Sequence, residues 1–409
     1  MNETKPRDTQ APLAGLRVLD LSRLVAGNML TLQLADFGAE VIKVEALGAG
    51  DPLRHWLSRA PGSDEAFDSW WQVYGRNKRS LSLNLRSDSA REILLALLDH
   101  ADVLVESFKP GTLESMGLEP CDLLDRYDRL VVVRVSGWGQ TGPYRGLPGF
   151  GSLIEGMCGF ANSHRAVDGT PTLPNMALAD MVAGLTGAFA TMAALRQVEQ
   201  GDGRGQVIDL SLLEPMLAVM GPQVTTWART GALPDPRTKI ASPRGVFRCG
   251  DGKWISLSGS TEKMAERIFV AIGRGDLYES DPGLRSNAGR LERDAEIDAH
   301  INAFVSKRSQ DDCLTYFRSS GITVGPIYDV DGLVADAHIV ERQVFVKKDG
   351  GTDGTVLMHQ PTPRMSRTPG AIRHVAPKLG EHSREILLAA GVGDEAIDAL
   401  IREGIVECR

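Results

Sequence analysis

What most restricts the fold of this chain is an alternation of short apolar runs and helix-patterned segments through its first half. Leu16 to Leu21 (LRVLDL) reads as a buried strand, Gly27 to Phe37 as a helix, and Glu40 to Val44 (EVIKV) as a second strand. Strand, crossing helix and strand at this spacing make a parallel sheet. The alternation continues with strands at Leu81 to Leu85, Asp102 to Val105, Leu130 to Val135 and Gln206 to Leu210, and with helices at Asp88 to Leu98 and Leu123 to Tyr127. This predicts an α/β fold with an open sheet. The segments that follow the strands are SRLVAGN, EALGAGDPLR, RSDS, ESFKPG and SGWGQTGPYRGLPGFG, all polar or rich in glycine. In open α/β sheets ligands bind beyond the carboxyl ends of the strands. Each loop taken singly is only a turn, but their number predicts a site for a large polar ligand, with Arg54, Arg86 and Lys109 as sources of charge. The first turn lacks the GxGxxG pattern, which argues against a nicotinamide or flavin cofactor.

Pro174 to Val198 (PNMALADMVAGLTGAFATMAALRQV) has a helix's composition and carries one early carboxylate, Asp180. Two readings fit it. Asp180 is the N-cap of a buried helix, or it is a carboxylate nucleophile that the helix N-terminus keeps ionised. The readings are compatible. Between Ala60 and Arg79 lie two adjacent tryptophans, a tyrosine and three basic residues. The tryptophans pack a loop on the core or line a pocket, and Arg76 is either solvated or a clamp for a carboxylate or phosphate.

Leu212 to Arg229 is helical in pattern, broken by Pro215 and Pro222, and residues 230–243 (TGALPDPRTKIASP) read as a linker. Beyond it, Gly245 to Phe247 and Trp254 to Leu257 read as hairpin strands across a DG turn, and Thr261 to Ile272, Ala295 to Ser306 and Asp311 to Arg318 as amphipathic helices. That is a smaller α+β domain. Gly325 and Pro326 begin a return path, ending in helices at Arg384 to Ala390 and Asp394 to Arg402.

A length of 409 residues exceeds what one hydrophobic core supports and predicts two domains, one discontinuous in sequence. A net charge of -8 argues against nucleic acid and anionic membrane as partners. The five cysteines are scattered and odd in number, which fits a reducing cytoplasm rather than a disulfide framework. The opening MNETKPRDTQAP reads as a polar leader. The apolar run from Met181 to Leu195 falls short of a membrane span, and no HxxxH or HxH pair suggests a metal.

The motifs together resemble the class III CoA-transferases. They are the stretch from Leu16 to Arg54, GRNKRSLSLNL, ADVLVESFKPGTLESMGL, SGWGQTGPY, the LAD at Leu178 to Asp180, GRGQVIDLSLLEP, VGPIYDV and LGEHS. The resemblance runs from about Leu13 to the C-terminus, and α-methylacyl-CoA racemases are relatives. It implies that Asp180 attacks the thioester of a donor acyl-CoA, passing through an aspartyl anhydride and an aspartyl-CoA thioester before CoA reaches a carboxylic acid acceptor. CoA is then a substrate, with no permanently bound cofactor and no metal. The resemblance further implies CoA contacts at Val25 and Ala26, at Leu83, Asn84, Leu85 and Arg86, at Ser107, Phe108 and Lys109, and at Leu147, Gly149 and Phe150. Where formyl-CoA transferases carry basic residues this chain has Ala46, Ser115 and Pro148, so Arg54, Arg86 or Lys109 must take the phosphates. Gly259 in SGST matches a glycine loop over the aspartate. Arg76 suggests a dicarboxylate, such as succinate, as one partner. Phe150 stands where racemases place a catalytic histidine, and a phenyl ring cannot move an α-proton. That favours transferase over the two alternatives, a racemase or related acyl-CoA isomerase and a non-catalytic CoA-ester binding protein. The implied architecture is an interlocked homodimer. Each chain has a Rossmann-like large domain over 13–229 and 346–409, linkers at 230–243 and 328–345, and an inserted small domain at 244–327.

Overall fold

In the computed structural model, which describes residues 11–59, 66–166, 168–233, 235, 239–350 and 354–408, the chain divides into two compact units. One comprises the described residues up to Thr226 together with those from Val344; the other is Trp227–Gln343. Most of the expected leader, the start of the 60–79 segment and part of 230–243 lie outside the described residues.

The first unit carries β1 (Arg17–Asp20), β2 (Glu40–Glu45), β3 (Ser58–Arg59), β4 (Ala66–Phe67), β5 (Lys78–Leu83), β6 (Val103–Glu106), β7 (Val131–Ser136) and β8 (Val207–Ser211). The second carries β9 (Arg244–Arg248), β10 (Trp254–Ser258) and β11 (Thr323–Ile327), and the first resumes with β12 (Phe345–Asp349), β13 (Thr355–His359) and β14 (Val406–Glu407). Seven strands form one sheet in the order β14-β5-β2-β1-β6-β7-β8. Every pair in it is parallel except β14 on β5. Such a sheet is buried on both faces, which is why its strands read as near-continuous Val and Leu. Alternate residues serve opposite cores. Val18, Val103, Val105, Val131 and Val133 face one apolar cluster, and Leu19, Leu104 and Val132 face the other. The edge strand β14 has no counterpart in the sequence reading, because two residues carry no periodicity.

Three helices position the site: α1 (Leu24–Asp36), α2 (Gly151–Met157) and α3 (Leu178–Gln200). The small residues of α3 are explained by its packing on α1. A Cβ on Gly184 would stand 2.8 Å from the Ala26 carbonyl oxygen and 2.7 Å from the Met29 side chain, so the two backbones approach closely. At 23 residues α3 is long and apolar enough to cross a bilayer by length and composition. The sequence reading, which ended the apolar run at Leu195, underestimated it. Its face around Ala183, Gly187, Thr191 and Leu195 is buried, while Leu185, Phe189 and Met192 form an exposed apolar stripe. Pro215 does not break its helix, Leu213–Val219, because it lies in the first turn, where a missing N–H leaves no bond unmade.

In the second unit β11-β10-β9 form an antiparallel sheet, with the expected hairpin between β9 and β10. Helices Glu262–Ala271, Asp294–Val305 and Gln310–Ser319 cover one core with it. Gly325 and Pro326 are not a return path but part of β11, where an edge strand tolerates a residue lacking N–H. The expected linker at 328–345 holds two short helices, Val330–Ala335 and Ala337–Glu341, capped by Asp329 and Asp336.

Candidate active site

Asp180 is not the N-cap of its helix. That position is Ala177, and Asp180 is the third residue of α3. The helix starts earlier than expected because another helix supplies the capping acceptor: Glu155 of α2, itself buried, accepts from the Ala179 N–H at 3.1 Å. The Asp180 carboxylate is therefore free to face a cavity. It is half-buried. Burial and the nearby Glu155 charge push its carboxyl up to about 6, against the pull of its own backbone N–H and that of Ala26. The expected net stabilisation of the ionised form by the helix end is thus outweighed, although at neutral pH the group is still mostly ionised. Gly151 gives the carboxylate its room: a Cβ there would stand 2.4 Å from Asp180 Oδ2.

The turn that presents Ala26 is built on buried charge. Leu24 opens α1 with φ +61°, in the left-handed region that a branched side chain rarely adopts. Its N–H donates to Asp51 Oδ1 at 3.0 Å, Asn28 Nδ2 donates to Asp51 Oδ2 at 2.8 Å, and Lys43 pairs with the same carboxylate at 3.1 Å. Lys43 and Lys78 also reach Asp20, at 3.3 and 3.4 Å. Burial alone would push the Asp20 carboxyl up; the two lysines, Ser22 and Thr31 outweigh it and hold the group below its usual range. Burial brings Lys78 down to about 8. Once paired and hydrogen-bonded, such charges are rigid, and they fix the α1 turn against β1 and β2.

Two adjacent cavities open at the carboxyl ends of the strands and share Arg23 and Phe108. The one holding Asp180, about 510 Å³, is lined by Ala26, Ser107, Phe108, Lys109, Leu147, Gly149 and Phe150 among others. The other, about 950 Å³, is lined by Leu83, Asn84, Leu85 and Arg86. All five loops singled out after β1, β2, β5, β6 and β7 contribute to these walls. Ala46 and Ser115 line the larger cavity and Pro148 the smaller. The larger has Arg23, Arg86 and Arg91 on its wall, and the smaller has Arg23, Lys109 and Arg145.

Two expectations fail, those placed on Arg54 and Arg76. The Val25 side chain does not face a cavity; it is buried with Leu53 and Trp71. Arg54 is committed to Glu45 at 2.7 and 2.9 Å and lies over the Trp71 ring, so it is not a free phosphate ligand. Arg76 is 0% exposed. Its guanidinium grips Asp36 at 3.1 and 2.6 Å and donates to the His359 carbonyl, which makes it a structural ion pair and no clamp for substrate. Gly259 belongs to the second unit, where its N–H donates to the Pro243 carbonyl at 2.7 Å and Thr261 caps the following helix. The SGST segment is thus tied at both ends.

Sequence reading missed Glu155, because a seven-residue helix of mixed composition resembles a loop. It also missed Asp209 on β8. That carboxylate accepts the Gln140 N–H at 3.0 and 2.9 Å, while Trp138 Nε1 donates to the Pro148 carbonyl at 3.0 Å. These bonds pin the loop that carries Phe150, which is 60% exposed. Asp209 stands inside GRGQVIDLSLLEP, a signal that was present but carried no assigned role.

The model of CoA-transferase family III matches residues 13–383. The chain belongs to CoA-transferase family III. It is 35% identical to the succinyl-CoA–D-citramalate CoA-transferase of Chloroflexus aurantiacus, covering 92% of this chain and 93% of the relative. It is 34% identical to the succinyl-CoA–L-malate CoA-transferase beta subunit of the same organism, covering 97% and 99%. Among solved structures, a CAIB/BAIF family protein from Brucella suis superposes with a TM-score of 0.81 at 28% identity, over 93% of this family III chain and all of that one (100%).

Proposed function

We propose that this family III enzyme moves CoA from an acyl-CoA donor to a carboxylic acid, with Asp180 as the nucleophile and a dicarboxylate such as succinate among its partners. The observation that carries the reading is the half-buried Asp180 carboxylate facing a cavity that adjoins a larger one. In the first step an Asp180 oxygen bonds to the thioester carbonyl carbon and the C–S bond breaks. The product is a mixed anhydride and CoA thiolate. The thiolate then attacks the aspartyl carbonyl and expels the donor acid as a carboxylate. An acceptor carboxylate runs the two steps in reverse, and no proton is gained or lost overall. A carboxylate nucleophile suits this exchange because each intermediate stays an activated acyl group.

The larger cavity takes the nucleotide end of CoA in this reading, with Arg86 and Arg91 as phosphate ligands in place of the basic residues missing at Ala46 and Ser115. The dicarboxylate preference is supported by the succinyl-CoA and hydroxy-diacid names of the relatives, and no longer by Arg76. The test offers purified protein succinyl-CoA with a panel of mono- and dicarboxylic acids, identifying product thioesters by mass. Exchange with dicarboxylates is expected, and Arg86→Ala should raise donor KM with little change in kcat. Failure to exchange with any acid would overturn the reading.

The interlocked homodimer, with 244–327 as the inserted domain, remains part of this proposal. The exposed stripe of Leu185, Phe189 and Met192 on α3 supports it, since a bare apolar face of that kind calls for a covering surface. Sedimentation at micromolar concentration should give twice the 44.2 kDa chain mass; a monomer would refute it.

A further inference from the structure

Helix α2 turns one face toward Asp180. Gly151 and Glu155, four residues apart, stand one turn above the other on that face. Gly151 leaves the space that Asp180 Oδ2 occupies, and Glu155 is 3% exposed with Oε1 bonded to the amide of the residue just before Asp180. A second carboxylate is thus buried beside the first, although an amide side chain would cap Ala179 equally well. The other charged groups around Asp180 are Arg23 ahead of α1, Lys109 after β6 and Arg145 in the 137–150 loop. All three are exposed at the cavity wall, whereas α1 offers only the Ala26 amide.

We propose that Glu155 is a positioning residue for the transfer reaction, fixing the first turn of α3 and opposing negative charge on Asp180 in the resting enzyme. The inference rests on the reading of Asp180 as nucleophile. When Asp180 becomes acylated its charge leaves with the thiolate sulfur, and the repulsion from Glu155 is relieved. When the acyl group is released the charge returns and the repulsion is restored. The arrangement weakens the carboxylate's preference for its free form and strengthens it as a nucleophile, since a more basic oxygen attacks more readily. It adds to burial, the larger cause, in displacing Asp180 upward from the ordinary aspartate range.

Glu155→Gln keeps an acceptor for the Ala179 N–H and removes the charge. The acid limb of kcat/KM against pH, expected near 6 in the parent enzyme, should move to lower pH. Turnover at pH 8 should fall several-fold with donor KM unchanged. A purely structural role would leave the limb in place, so an unmoved or raised limb in a folded Glu155→Gln protein overturns the inference. Should that variant fail to fold, Glu155→Asp draws the charge back on a shorter arm: an acid limb moved to lower pH supports the proposal, and an unmoved or raised limb defeats it. Asp180→Asn is assayed alongside. If Asp180→Asn retains full exchange, the nucleophile reading is the one that has failed; if it is inactive while Glu155→Gln keeps the parent profile, only the role of Glu155 has.

Discussion

Asp180→Asn should lower CoA exchange by at least about a thousandfold, because an amide of the same shape cannot form the acyl adducts on which both half-reactions depend. Binding of free CoA should be nearly unchanged, since the larger cavity and its arginines are untouched. Calorimetry for CoA binding and mass detection of exchanged thioesters separate the two effects. Asp180→Glu should not rescue the loss. An added methylene drives the carboxylate toward Gly151, where only the absence of a Cβ leaves room for the present side chain. Exchange by Asp180→Asn above a few per cent of the parent rate would show that the carboxylate is not the nucleophile.

Arg76→Ala is expected to damage the fold rather than acid selectivity. The guanidinium is buried with Asp36, and Asn77 Nδ2 donates to the same carboxylate at 2.7 Å. Removing the cation strands a buried charge with one remaining side-chain donor, at a cost of about 3–5 kcal/mol. Urea unfolding should show the lower midpoint, while acceptor KM in the surviving folded enzyme stays at the parent value. The double change Arg76→Leu with Asp36→Leu should recover much of the stability, because it removes both charges together. A raised acceptor KM with parent stability would return Arg76 to the substrate site.

The two residues show what was legible in the sequence. The parallel sheet could be read because each strand has its own apolar run, and the loops after the strands follow from that order. Asp180 stood out because it is the single charge at the head of an apolar helix. Arg76 misled because a cation among aromatics has the same local appearance whether it meets substrate or an internal carboxylate. Its partner is 40 positions away in sequence, and nothing local marks the pair. Glu155 was hidden for a related reason: its effect on Asp180 comes from the packing of α2 on α3, which neither segment encodes alone. Val25 shows a related limit, since its side chain turns into the core. A contact made by the backbone of a turn says nothing of where the side chain points.

The late pairing of β14 on β5 has a consequence for how the protein is made. Asn84, on the wall of the larger cavity, donates its N–H to Ile405, Asn77 bonds to His374 and Arg373, and Trp71 donates to Pro377. A ribosome delivers those partners about three hundred residues after the segment that needs them. Until then the outer rim of β5 is unpaired, exposing the kind of strand edge that recruits other chains. The emerging polypeptide must therefore keep that rim shielded until Ile405 and β14 have been made, and the ligand wall is completed only when they pair with it.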